Sequence, residues 1–202
     1  MTSRLFYTDD TLTADVDVLS CTAHDDGFAV ILKATPFHPQ GGGQPSDTGW
    51  IGASEVLKVF AEHDRIVHIV QQAVPLGTAQ ARVDEARRAL NSRLHSIGVY
   101  GERAGWKPIK AHHWPGECRV SFMPGENARP MHVEQIKEQL EQWISADLPR
   151  VIQINADQRF IGFGELPSYP CGGTHVSSLK QLHDAPTLSI SEKKGVLAVR
   201  YQ

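Results

Sequence analysis

Cys171 and His175 stand four positions apart in "PCGGTHV" (170–176), around two glycines and a threonine. A thiol and an imidazole at that spacing are often half of a metal site. The natural complement is a pair of ligands one helical turn apart, since residues i and i+4 share a face. His95, in "RLHSIGVY" (93–100), supplies one of them, and Val99 stands where the second is expected. His95, Cys171 and His175 are therefore the three candidate ligands. Three protein ligands and an open position form the arrangement of a catalytic zinc rather than a structural one. The competing readings are an ordinary satisfied histidine on a helix and a glycine-rich turn with an incidental thiol. His112, His113 and Cys118 are nearby in sequence, but they read as belonging to a strand and its approach.

A second group lies in "TPFHPQGGGQPSDTG" (35–49). Three successive glycines, Gly41, Gly42 and Gly43, permit close backbone approach and expose N–H groups that can hold a ligand. Gln44 directly after them offers both a donor and an acceptor, and Pro39 and Pro45 bracket the stretch. A loop needing only one bend has little use for all of these, so a ligand-facing role is favoured over a plain turn.

The elements that must position these residues change period along the chain. "ADVDVL" (14–19) alternates apolar and acidic residues as a half-buried strand does. "HDDG" (24–27) is turn chemistry, and "FAVILKAT" (28–35) follows as a strand. "SEVLKVFA" (54–61), "RIVHIV" (65–70) and "TAQARVD" (78–84) complete a set of short strands of the kind that build a small barrel or sandwich. From Asp84, a candidate N-cap, Ala86, Leu90, Leu94 and Ile97 fall on one helical face, and the helix ends at Gly101 or Gly105. "ECRVSFM" (117–123) reads as a strand. Val133, Ile136, Leu140, Trp143 and Ile144 mark a second helix, stopped before Pro149. "RVIQIN" (150–155), "RFIGF" (159–163) and a closing hairpin over 188–202 around Lys194 and Gly195 finish the chain. The expected organisation is α+β: a β-barrel domain over 1–84 with the glycine-rich loop, then an α+β domain over 85–202.

The chain has 202 residues, 41% of them hydrophobic and 21% charged, which is ordinary for a globular protein. No apolar run approaches the roughly 20 residues that span a bilayer. The N-terminus lacks the pattern of a secretory signal, and three scattered cysteines make no disulfide framework, so a reducing cytoplasm is the expected compartment. A formal net charge of −3 argues against gripping long stretches of nucleic-acid backbone. It leaves room for a local basic face, and "ARRALNSR" (86–93) and "SEKKG" (191–195) concentrate cations.

In their order, "TPFHPQGGGQPSDTG", "VDEARRALNSRLHSIG", "YPCGGTHV" and "SEKKGVLAVR" resemble the editing domain of alanyl-tRNA synthetase and its free-standing AlaX relatives. The resemblance runs over nearly the whole chain. It implies a small β-barrel followed by the α+β editing domain shared with threonyl-tRNA synthetase. It implies hydrolysis of the ester in mischarged tRNA(Ala), chiefly Ser-tRNA(Ala) and sometimes Gly-tRNA(Ala). With no segment left for aminoacylation, action in trans is expected. Position by position, the resemblance makes His95, Cys171 and His175 ligands of zinc. It places Gln44 near the editing pocket and gives Thr35 the recognition of serine. The glycine stretch is expected to hold the developing oxyanion or the terminal ribose. Arg87 and Arg88 are expected on phosphates. Val99 departs from the family's histidine, which keeps two alternatives open: a non-catalytic module that binds aminoacyl-tRNA or a partner, and a hydrolase acting on another small ester or amide.

Overall fold

The computed structural model describes residues 1–8, 11–41, 43–156 and 158–202. It divides into two compact units, Met1–Arg87 and Arg88–Gln202.

The first unit contains β1 (Ser3–Arg4), β2 (Thr13–His24), β3 (Gly27–Leu32), β4 (Ala34–Thr35), β5 (Gly49–Ile51), β6 (Ser54–Glu62), β7 (Arg65–Val70) and β8 (Gly77–Val83). Six of these pair in a ring, β2–β3–β7–β6–β5–β8, with β8 returning to β2. Closing the ring leaves no free edge for another chain to pair with. Val16 and Val18 of β2, Val30 and Leu32 of β3, and Val56 and Val59 of β6 point into one core. β7 is buried from Ile66 to Val70, and the only polar side chain in that run is His68. The short β1 and β4 pair in parallel, Arg4 opposite Thr35, where the glycine-rich loop begins.

That loop returns to the ring at Gly49, whose φ of 147° is closed to L side chains. A Cβ there would strike the Arg82 carbonyl on β8, so the glycine also permits the approach of the two strands.

The second unit contains α1 (Ala86–Arg103, starting just before the division), β9 (Trp106–His112), β10 (Arg119–Pro124), α2 (Val133–Ser145), β11 (Arg150–Asn155), β12 (Gln158–Phe163), β13 (Tyr169–Pro170), β14 (Leu188–Lys193) and β15 (Val196–Tyr201). β14–β15–β10–β9 form one antiparallel sheet, and β11–β12–β13 a second. α2 buries Ile136, Leu140, Trp143 and Ile144 and ends at Ser145, before Pro149. The β14–β15 turn uses Lys194 and Gly195 at φ 54° and 74°, the paired positive values of a tight hairpin.

α1 departs from its expected face. The Asp84 carboxylate accepts from the Ala86 N–H at 3.0 Å, capping the start. Of the four positions expected on the apolar stripe, only Ile97 is fully buried. The buried row includes Arg88, Asn91, Ser92, His95, Ser96 and Val99, so most of it is polar. β9 has no alternating apolar pattern in the sequence; apart from Trp106, its residues are exposed or half-buried.

Candidate functional site

The polar row of α1 has a definite counterpart, the loop 171–176. Asn91 Nδ2 donates to the Thr174 carbonyl at 2.8 Å. Ser92 Oγ donates to the Arg88 carbonyl at 2.7 Å and accepts from the Val176 N–H at 3.1 Å. From β12, Arg159 is buried and its Nη1 donates to the Cys171 carbonyl at 3.0 Å and the Gly173 carbonyl at 2.7 Å. From β11, Arg150 Nη1 donates to the His175 carbonyl at 3.0 Å. A short glycine-containing loop has carbonyls that no ladder satisfies, and buried carbonyls need donors. Those of residues 171, 173, 174 and 175 find them in side chains.

This clamp presents His175 to His95. Their ring centroids lie 6.0 Å apart, nearly perpendicular at 87°. Phe163 and Tyr169 flank the His95 ring at 5.4 and 5.1 Å, and Tyr169 Oη donates to the Glu102 carboxylate. One nitrogen of His95 bonds the Pro167 backbone carbonyl, and Nε2 is buried without a partner. A carbonyl only accepts, so the proton sits on Nδ1. Burial holds the ring neutral, with its pKa lowered to about 4. Nε2 is thus an acceptor lone pair with no hydrogen-bond partner among the described residues. His175 places Nδ1 3.3 Å from the Gly173 carbonyl. Burial, then the neighbouring His95 and Arg159, push its pKa well down.

The donor set does not fit the zinc that the resemblance implies. Burial pushes the Cys171 thiol up, and its Sγ accepts from the Gly173 N–H at 3.4 Å. Val99 is 0% exposed, packed in the apolar core. Among the described residues no group of three His, Cys, Asp or Glu side chains is placed to hold a metal ion. What assembles is a pair of histidines with one orphaned acceptor.

In the first unit the glycine-rich loop is strapped across its base. The His38 N–H donates to Asp47 Oδ2, and the Asp47 N–H to the His38 carbonyl, both at 2.9 Å. At the tip, Gly41 and Gln44 exchange backbone bonds of 3.0 and 3.1 Å, which commits the Gly41 N–H within the loop. Gly42 lies outside the described residues. Gly43 takes a φ of 81°. The Gln44 side chain is buried, and its Nε2 has no partner among the described residues. An amide nitrogen carries two donors, so this is the second orphaned group on a predicted site residue.

Thr35 is fully buried and its hydroxyl is engaged. Oγ1 accepts from the Phe37 N–H at 3.1 Å and lies 2.7 Å from His68 Nε2. His68 Nδ1 lies 3.2 Å from the Val30 carbonyl, so it carries the proton and Nε2 accepts from Thr35. Sequence reasoning missed His68 because a histidine between valines and isoleucines reads as one position of a strand. Of the arginines expected on phosphates, Arg87 is half-buried and Arg88 is buried at 4% exposure. Arg159 was also missed, since nothing in "QRFIGF" marks it as a clamp.

No family model matches the chain. Among curated proteins it is 27% identical over 196 residues to the alanyl-tRNA editing protein AlaX-M of Pyrococcus horikoshii, across 90% of this chain and 88% of that protein. It is 29% identical over 196 residues to the alanyl-tRNA editing protein Aarsd1 of Bos taurus, across 83% of this chain and 44% of the relative. Against the alanine–tRNA ligase of Methanocella arvoryzae it is 23% identical over 204 residues, covering 86% of this chain but only 23% of the ligase. Over most of its length the chain is thus similar to the alanyl-tRNA editing proteins, the resemblance that its motifs indicate.

Proposed function

We propose that the chain hydrolyses the aminoacyl ester of mischarged tRNA(Ala) in trans, with Ser-tRNA(Ala) as the first substrate and Gly-tRNA(Ala) as the second. The observation that carries the chemistry is the orphaned Nε2 of His95. A buried acceptor with no partner is costly unless a ligand supplies the donor. A bound aminoacyl ester offers its α-ammonium group, and the attacking water, drawn from solvent, offers a second donor. In hydrolysis the water oxygen bonds the ester carbonyl carbon and the bond to the ribose oxygen breaks. The ribose oxygen takes a proton and the amino acid leaves as the free acid. His95 Nε2 holds and orients the ammonium group or the water, which lowers the barrier chiefly by positioning. Similarity to AlaX-M over most of both chains supports the choice of tRNA(Ala) as substrate. No step is assigned to zinc.

The test is deacylation of Ser-tRNA(Ala) by wild type and His95→Ala, with Ala-tRNA(Ala) as the control. Release of serine well above the uncatalysed rate, reduced on loss of His95 while Ala-tRNA(Ala) stays intact, is the expected result. Wild type no faster than buffer removes the proposal. The buried Val99 favours one second reading, a non-catalytic aminoacyl-tRNA-binding module, and its signature is tRNA binding without turnover.

A further inference from the structure

The sheet β14–β15–β10–β9 has one face on the core and one open. Residues directly opposite on antiparallel strands share a face. Val120, Phe122, Leu197, Val199 and Tyr201 point inward and are buried. The alternate row points out. Arg119 stands between His112 on β9 and Arg200 on β15, and Lys110 and Lys107 follow along β9 opposite Ser121 and Met123. Lys193 on β14 lies opposite Val196, in the same outward row. All five cations of the four strands therefore face outward. Glu192, the one carboxylate in these strands, pairs with Leu197 in the opposite row.

Among the described residues none of the five cations is in an ion pair: Arg200 Nη1 donates to Ser191 Oγ at 2.6 Å, and Arg119 Nη1 to the Glu117 carbonyl at 3.4 Å. Arg119 and Arg200 stand directly opposite each other, an arrangement that costs stability between like charges. The chain carries a net charge of −3, so a concentration of uncompensated cations is a local feature. At one corner His112 stacks on Trp114, centroids 6.4 Å apart at 20°, with the indole 40% exposed. Glu117 is the carboxylate at this corner, 3.2 Å from His112 Nε2.

We infer that this open sheet face is an RNA-docking surface. Its arginines and lysines contact successive phosphates, and Trp114 takes the face of one unpaired base. A row of cations beside an aromatic platform is the combination that holds single-stranded nucleic acid: charge follows the backbone and the ring stacks a base. With strands about 4.8 Å apart, the face is about 15 Å wide, enough for a strand of RNA to cross several cations. The inference rests on reading the chain as a tRNA-acting protein and adds to it the surface that tRNA uses.

The experiment measures binding of uncharged tRNA(Ala) transcript to the full chain by fluorescence anisotropy over a series of salt concentrations. Variants are Lys110→Gln/Arg200→Gln and Trp114→Ala, each first shown to melt at the wild-type temperature. Losing two phosphate contacts lowers the slope of log affinity against log salt by about 2 and weakens binding about tenfold at low salt. Trp114→Ala weakens binding about five- to a hundredfold with the slope unchanged. Wild-type affinity and slope in the folded double variant overturn the inference. Uncharged tRNA keeps the two readings separable. A chain that binds tRNA through this face without releasing serine retains the surface and loses the deacylase. Full kcat/KM on Ser-tRNA(Ala) in the double variant does the reverse.

Discussion

His95 and His175 approach edge to face, 6.0 Å between centroids, while Val99, one turn further along the same helix, is sealed in the apolar core. Two imidazoles are present, but no third metal-binding group joins them among the described residues. The first prediction concerns metal. Elemental analysis of purified wild-type protein reads well under one zinc per chain, and Cys171→Ala does not change the value. A full equivalent of zinc lost with Cys171 is the contrary result.

Val99→His places an imidazole where a valine has no exposure at all. Burying that polar ring without a partner costs about 1–3 kcal/mol. The variant melts below wild type in chelator, and zinc recovers part of the loss if His95 and His175 join the new ring. A thermal melt with and without added zinc reads both effects.

Gln44→Met removes a buried amide whose Nε2 has no partner among the described residues. An unsatisfied buried donor costs about 1–3 kcal/mol, so its removal leaves the melting temperature unchanged or higher. Deacylation of Ser-tRNA(Ala) falls. The two readouts move in opposite directions only if the amide serves a ligand rather than the fold, and a lower melting temperature assigns Gln44 to the fold.

Thr35 and His68 form a buried pair in which each satisfies the other. Thr35→Val strips the partner from His68 Nε2 and from the Phe37 N–H, and His68→Phe strips the acceptor from the Thr35 hydroxyl, each orphan costing about 1–3 kcal/mol. The double variant costs less than their sum, with a coupling of about 0.5–3 kcal/mol in a denaturation cycle. The pair also sets a pH dependence. Burial lowers the His68 pKa from 6.5 to about 4, so between those values the unfolded chain binds a proton that the folded one refuses. This contribution to stability is fully present above pH 6.5 and is lost as pH falls toward 4. Melts at pH 7.5 and 5 show a drop that His68→Phe makes shallower.

Gly101→Ala tests the seat of α1. Alanine is ordinarily better than glycine in a helix by about 1 kcal/mol. Here a Cβ at residue 101 would run into the Phe122 ring of β10. Overpacking of about 1–3 kcal/mol wins, and the variant melts below wild type.

The strands with clean alternation were legible in the sequence, as were α2 and the 188–202 hairpin, because each carries its apolar residues at a single period. β9 was not, since "WKPIKAH" turns its polar residues to solvent and contains a proline. The inward face of α1 was misread for a related reason. A helix that buries Asn91, Ser92 and His95 against a loop gives no apolar stripe, and hydrogen bonds to residues 80 or more positions away leave no local trace. Spacing identified His95, Gln44, Cys171 and His175 as the residues to watch. It could not show that Thr35 and His68 complete each other or that Arg159 braces the loop, since both depend on register between strands.

The bracing of that loop bears on how such a site ages. Arg159, Arg150 and Asn91 grip its carbonyls from behind, so the shape of 171–176 is written in the scaffold and not in whatever the loop holds. Many ion-binding loops slacken when a ligand is lost, and the remaining ligands then drift. Here the same bracing holds residues 171–176 while a valine occupies position 99. A pocket of this construction can change its chemistry one residue at a time without passing through a disordered intermediate.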